Sequence, residues 1–319
     1  MQVVTITSAS GRAQARILPE FGFNCFSLTL SSNALSTDVL WAPAGFEAGS
    51  ERPSAGGIPV LFPFPGRIKN GKFHWEGRDF ELPANDRIGN AIHGFVYDRP
   101  WTILDQQPHS IKAGFQASQQ DPSLLDLWPS DFRIEMEYRF ASDDRLQMAC
   151  LITNPDDKTL PFGFGLHPYF HIPFDDSDPT EYLFQIPVDA KWQLEHLVPT
   201  GNRSKLADAA RYAQGIPFSD MQFDDVFTIA RDRGRTTRKI DVSKIVGHAC
   251  ELVYEFGGFD YCVVYTPGHR QSVCIEPYTC VPNPFQLKTD GIDCGLQVLP
   301  PGESCRLEAS YRLKSKRDS

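Results

Sequence analysis

From residue 132 to 152 apolar and polar positions alternate. Phe132, Ile134, Met136, Tyr138 and Phe140 are apolar, with Arg133, Glu135, Glu137 and Arg139 between them. After Ser142-Asp143-Asp144 the series resumes as Leu146, Met148, Cys150 and Ile152. A period of two sends successive side chains to opposite faces of a strand, so this stretch predicts a hairpin with one buried face. Phe73 and Trp75, a turn around Gly77, then Phe80 and Leu82 predict a second hairpin. Cys305, Leu307, Ala309, Tyr311 and Leu313 predict a last strand. Residues 204–214, closed by Gly215, read as the one helix. The polar stretch 116–130 reads as a long loop and 314–319 as a frayed tail. Prolines and glycines, 25 and 24 of them, punctuate the remainder. The pattern predicts an all-β antiparallel protein of two packed sheets. No internal repeat or linker-like segment divides it, so a single domain over residues 1–319 is expected.

Charge and cysteines narrow the class. Lys and Arg number 31 against 40 Asp and Glu, a formal net charge of −9, and no long basic run dominates. A nucleic acid held through its phosphates and an anionic membrane surface are both poor partners for such a chain. The first residues, MQVVTITSASGRAQARIL, lack an apolar signal core, and no stretch approaches the length of a membrane span. A cytoplasmic protein is expected. The eight cysteines are sparse, and several sit in apolar strand-like runs such as Tyr261-Cys262-Val263-Val264. They read as buried free thiols, without the paired CxxC spacing of zinc sites.

Five segments concentrate candidate chemistry. FGFGLHPYFHIP, residues 162–173, sets His167 and His171 among aromatics. Pro168 and Pro173 disfavour helix there. On a strand the two rings would stand about 13 Å apart at roughly 3.3 Å per residue, too far to share one ion. A core histidine bonded to a carbonyl is the ordinary reading of such a residue. Glu276 lies at the end of the apolar VCI run, where a carboxylate must be exposed, paired or functional. Arg67 follows an uncharged run, GGIPVLFPFPG, and reads as a surface arginine or as a guanidinium aimed at hydroxyls. His93 sits in HGFVYDRPW, and QFDDVF carries Asp224 and Asp225 between phenylalanines. Each signal has a bland alternative in turn or core packing.

Taken in order, these segments resemble the aldose 1-epimerase, or galactose mutarotase, family from about residue 50 to the C-terminus. HPYF and the EP pair after Ile275 are the most specific parts. The resemblance implies a large galactose mutarotase-like β-sandwich with an open groove. It implies His167 as general acid, Glu276 as general base, and Arg67, His93 and Asp224 as groups that hold sugar hydroxyls, with Asp225 the alternative to Asp224. It implies a small-molecule sugar as substrate, and neither metal nor cofactor. His171 stands where the family often has asparagine, which makes it a neighbour rather than a catalyst. The wording of GGIPV and HGF is closer to divergent bacterial members and to hexose-6-phosphate epimerases. A phosphorylated hexose would need a cationic pocket, for which RDRGRTTRK, residues 231–239, offers arginines in what reads as an exposed hairpin turn. A carbohydrate-binding protein that kept the fold and lost catalysis is the alternative outside enzymes. Trp75, Phe64 and Tyr169 are candidates to stack on a sugar face.

Overall fold

The computed structural model describes residues 1–230 and 240–316. Its largest described sheet has nine strands, and the 132–152 alternation lies inside it. Arg133–Ser142 pairs antiparallel with Arg145–Thr153, Met136 opposite Cys150 and Phe140 opposite Leu146. Ile134, Met136, Tyr138, Leu146, Cys150 and Ile152 are buried, as the period of two requires. Glu135 is buried too, on the other face, where Lys112 and Arg133 neutralise it. The predicted last strand is Ser304–Ser315, paired with Arg145–Thr153 on one side and Cys250–Gly257 on the other.

A second antiparallel sheet of eight described strands packs against the first. Its centre is Asp224–Ile229, Tyr261–Tyr265 and Ser272–Tyr278. Phe170, on a short strand paired with Ser272–Tyr278, bridges the layers by meeting Tyr254 and Tyr311 of the larger sheet at 5.3 and 6.2 Å between ring centroids. Val273 and Ile275 join the core between the sheets, so Cys274, Glu276 and Tyr278 take the opposite face. That face is covered in turn by loops, and the whole strand is buried. A four-stranded sheet of N-terminal residues, Val4–Asp38 in extent, flanks the sandwich.

Four local expectations are corrected. The helix is only Ala209–Gln214, because Ser204 and Lys205 continue a strand paired with Lys191 and Ala190, and it is not the one helix: Pro284–Thr289 forms another of the same length. The 116–130 stretch contains two one-turn helices, Ala117–Gln120 and Leu124–Leu127. It is pinned by buried Leu124 and by Trp128, whose indole N–H donates to the Pro161 carbonyl at 3.0 Å. Residues 314–316 are not frayed, and 317–319 lie outside the described residues: Lys314 pairs with Glu251, and the Lys316 ammonium donates to the Gly247 carbonyl at 2.7 Å. Glu276 does not end its strand, which runs two residues further, through Pro277 to Tyr278. The second hairpin forms as expected, with Phe73 stacked on Phe80 at 4.9 Å across a turn at Glu76 and Gly77, both at positive φ. All eight cysteines are free; seven are buried and Cys305 is partly so. Among the described residues no helix is long and apolar enough to cross a membrane.

Candidate active site

The buried outer face of the eight-stranded sheet floors a pocket of about 640 Å³ whose wall includes Arg67, His93, His167, Asp224 and Glu276. These five residues span more than two hundred positions of sequence and come from separate elements. Glu276 arrives on the central strand, opposite Val263. His167 sits between the short strands Gly165–Leu166 and Tyr169–His171, its amide donating to the Pro59 carbonyl at 3.1 Å. Asp224 begins the strand Asp224–Ile229, opposite Tyr265. Arg67 belongs to a two-stranded ladder in which it opposes Ile92, and His93 follows directly after that ladder.

Two glycines allow that ladder to reach the pocket. Gly66 lies at φ 66°, where a Cβ would stand 2.5 Å from Pro282. Gly94 lies at φ 77°, and a Cβ there would meet the Phe62 carbonyl at 2.2 Å. His93 between them also has a positive φ, 70°, held by its amide's 2.9 Å bond to the Gly66 carbonyl. A histidine in this conformation is uncommon, and here it turns the imidazole into the pocket.

Nε2 of His167 lies 3.4 Å from Oε1 of Glu276, with the two side chains 8% and 2% exposed. The Tyr278 hydroxyl donates to the other oxygen, Oε2, at 2.7 Å. Tyr169 stacks on the His167 ring at 4.7 Å with planes 3° apart, fixing the imidazole, and its own hydroxyl donates to the Ser54 carbonyl. Burial pushes His167 down to about 3 and so favours neutral imidazole. Burial also pushes Glu276 well above the usual carboxylate range; Tyr278 and Arg67 oppose that shift and the Asp224 charge adds to it. Both shifts favour uncharged forms, a protonated carboxyl beside a neutral imidazole; moving that one proton across the 3.4 Å contact gives the carboxylate–imidazolium form of the pair. His93 is held neutral as well, by burial and then by the charges of His167 and Arg67. Nδ1 of His93 and Nδ1 of His167 are buried without a protein partner.

Arg67 is oriented by Asp86, which accepts from its Nε at 3.0 Å. Asp86 is itself tied by the amides of Ile88 and Asn90 and by the Asn90 side chain. Asp224 is exposed along its outer side on the pocket wall, while partial burial of its carboxyl, with a smaller push from Asp225, raises its pKa against the pull of Arg67. Asp225 points to the other face of its strand, paired with Lys191 at 2.9 Å and outside the pocket, so of the two candidates Asp224 is the pocket residue. His171 lines a different cavity, with Asp38 and Asp175, and takes no part. Of the three candidate aromatics only Tyr169 lines the pocket; Phe64 stacks on Trp128 and Trp75 lies under Lys288. Sequence reasoning missed Tyr278 and Asp86. It also missed Cys274, whose Sγ lies with the His167 and Glu276 ligand atoms inside 4.8 Å of one another. Burial, then the Glu276 and Asp224 charges, hold that thiol protonated, so it packs beside the pair as a neutral group. The arginine run 231–239 lies outside the described residues.

A family model described as aldose 1-epimerase matches residues 5–312. The chain belongs to the aldose 1-epimerase family. The match takes in the N-terminal sheet, which the motifs alone did not reach. The chain is 27% identical over 266 residues to the uncharacterised protein YihR of Escherichia coli (strain K12), covering 81% of this chain and 79% of that one. A galactose mutarotase-like protein from Clostridium acetobutylicum superposes with a TM-score of 0.83 at 24% identity, over 96% of this chain and 93% of its own. The GalM/aldose epimerase homologue from C. elegans gives 0.80 at 19%, over 98% and 99%. These likenesses establish the galactose mutarotase-like fold.

Proposed function

We propose that this family member is an aldose 1-epimerase that interconverts the α and β anomers of a hexose such as glucose or galactose. The observation that carries the reading is the 3.4 Å approach of His167 to Glu276 on the wall of a pocket wide enough for a sugar ring. Anomers interconvert by opening the hemiacetal. The C1–O5 bond breaks, the C1–O1 bond becomes a carbonyl, O5 gains a proton and O1 loses one. Acid and base must therefore reach two oxygens on one carbon, which suits two side chains in mutual contact. His167 gives its proton to O5 while Glu276 takes the proton of O1. Rotation about C1–C2 turns the other carbonyl face to the O5 hydroxyl, and the same pair works in reverse to close the ring. The pair ends as it began, so one proton suffices for any number of turnovers.

The remaining residues hold the sugar. Neutral His93 can donate to or accept from a hydroxyl, Arg67 donates, and Asp224 accepts. A carbohydrate-binding protein without catalysis would have no use for a buried acid–base pair in contact. Polarimetry of freshly dissolved α-D-glucose and α-D-galactose tests the reading: the approach to equilibrium should accelerate in proportion to protein concentration. An unchanged rate for both sugars and for any other aldose tried would reject it.

A further inference from the structure

The strand that carries Glu276 also sets a thiol beside the acid–base pair. Cys274 lies two residues before Glu276, so both side chains leave the same face of the strand, and both are buried. Tyr169 and Tyr265 oppose Cys274 on the two neighbouring strands. One ligand atom each from His167, Cys274 and Glu276 lies within 4.8 Å of the other two. Nε2 of His167 and Oε1 of Glu276 stand 3.4 Å apart. Two zinc bonds of about 2.0 to 2.1 Å meeting at the tetrahedral angle place their ligand atoms about 3.4 Å apart, so one edge of a tetrahedron is already formed. Sγ of Cys274 closes the other two edges by a shift on the order of 1 Å. That Sγ has no hydrogen-bond partner among the described residues. The Tyr278 hydroxyl holds the far oxygen of Glu276, Oε2, at 2.7 Å and leaves Oε1 turned toward the other two donors.

We infer that His167, Cys274 and Glu276 form a site for one thiophilic divalent cation, zinc above all, and that this cation inhibits the enzyme by occupying its acid and its base. The site stands on geometry; the inhibition rests on the mutarotase reading. Zinc takes imidazole, thiolate and carboxylate together, whereas magnesium and calcium keep to oxygen ligands. On binding, the thiol and the carboxyl release their protons to solvent, and the imidazole binds neutral through Nε2. Two negative ligands then balance two positive charges, so the buried complex carries no net charge. Three protein ligands leave the fourth position open toward the pocket that His167 and Glu276 line. An ion there ties up the imidazole lone pair and Oε1, so ion and sugar exclude each other. Nδ1 of His167 has no protein partner. A resident metal site normally supplies one to its histidine, and its lack here marks a reversible inhibitor rather than a cofactor.

The test starts from protein stripped of metal by a chelator. Zinc chloride is titrated into aldose anomerisation followed by polarimetry, with the protein-free rate at each zinc concentration subtracted. Micromolar zinc should abolish most turnover, excess EDTA should restore it, and magnesium or calcium at the same concentration should have no effect. More sugar should raise the zinc needed for half-inhibition. Cys274→Ser keeps both catalytic groups and should turn over sugar like the native protein, with half-inhibition shifted to at least about tenfold more zinc. Cys274→Ala should shift it likewise. Cobalt(II) chloride gives a readout independent of turnover. The native protein should show a thiolate-to-cobalt charge-transfer band saturating at one equivalent. Both Cys274 variants should lack it, and Cys305→Ser, which removes the partly exposed thiol, should keep it. Undiminished turnover in zinc, activation by zinc, or equal inhibition of the native protein and the Cys274 variants overturns the inference and leaves the mutarotase reading intact. If no aldose is turned over, a cobalt band that disappears with Cys274 keeps the site and rejects the acid–base reading, whereas a native protein without the band rejects the site.

Discussion

The Tyr278 hydroxyl donates to Oε2 of Glu276 at 2.7 Å, from two residues further along the same strand. A strand puts residues two apart on one face, so the carboxylate proposed as base and its orienting donor are fixed by a single element. The bond favours the carboxylate and opposes the burial that raises the Glu276 pKa. It also leaves Oε1 free to face His167.

Tyr278→Phe should therefore keep the shape of the floor and cost about tenfold or more in kcat, with KM less affected. Steady-state anomerisation with a circular dichroism check on folding measures this. Full activity in the folded variant would show that Glu276 needs no such partner.

The pH dependence follows from the shared proton. Activity needs one proton on the pair: a second, added as pH falls, removes the base, and loss of the last, as pH rises, removes the acid. Burial lowers the first step, with His167 pushed to about 3, and raises the second through Glu276. The kcat/KM profile should therefore be flat through neutrality, with no inflection near the ordinary histidine value of about 6.5. In Tyr278→Phe the basic limb should move to higher pH, since the lost bond favoured the carboxylate. An acid limb or a decline centred near 6.5 in the native protein would contradict the shared-proton description.

A raised carboxyl is also a statement about stability. Glu276 has a folded-state pKa above its unfolded value, so its effect is absent where both states are protonated. As pH rises above the unfolded value of about 4.5, the unfolded chain ionises and the folded one does not, which costs stability. Glu276→Gln removes that cost. It should raise stability at pH 7 by about 1 kcal/mol or more, with the gain vanishing below about pH 4, while activity is lost. Thermal melts at the two pH values check the sign. A variant less stable at pH 7 than the native protein would mean that the ionised pair holds the site together.

Asp86 should act through Arg67. Its bond to the Arg67 Nε and its ties to Ile88 and Asn90 make it a positioning residue. Asp86→Asn should raise KM about fivefold to tenfold with a smaller change in kcat, because a ground-state contact is loosened while the acid–base pair is untouched. An equal fall in kcat with constant KM would place Arg67 on the reacting atoms instead.

The hairpin at 132–152 and the last strand were legible because one buried face imposes a period of two. The five pocket residues were legible only through motifs: nothing in the spacing of 67, 93, 167, 224 and 276 says that they meet. The choice between Asp224 and Asp225 needed register, since Asp224 opposes Tyr265 and Asp225 opposes Val264 on the other face. Tyr278 was hidden because Pro277 made Glu276 look like a strand end, whereas the strand passes through it. Asp86 was hidden in a turn whose purpose appears only when Arg67 is beside it. The overlong helix failed because the pairing of Ser204 and Lys205 with a neighbouring strand outweighed local helix preference. The Tyr169 stacking on His167, two residues apart at a short break between strands, has no signature in the pattern.

The shared-proton chemistry is tested most directly by a double-mutant cycle of His167→Asn and Glu276→Gln, read by polarimetry with folding verified for each protein. Two groups that pass one proton act as a unit. Each single variant should lower kcat by about 10² or more, and the double variant should be little worse than either single one, far short of the product of the two losses. A folded His167→Asn protein with normal turnover would return that histidine to core packing and contradict the mechanism.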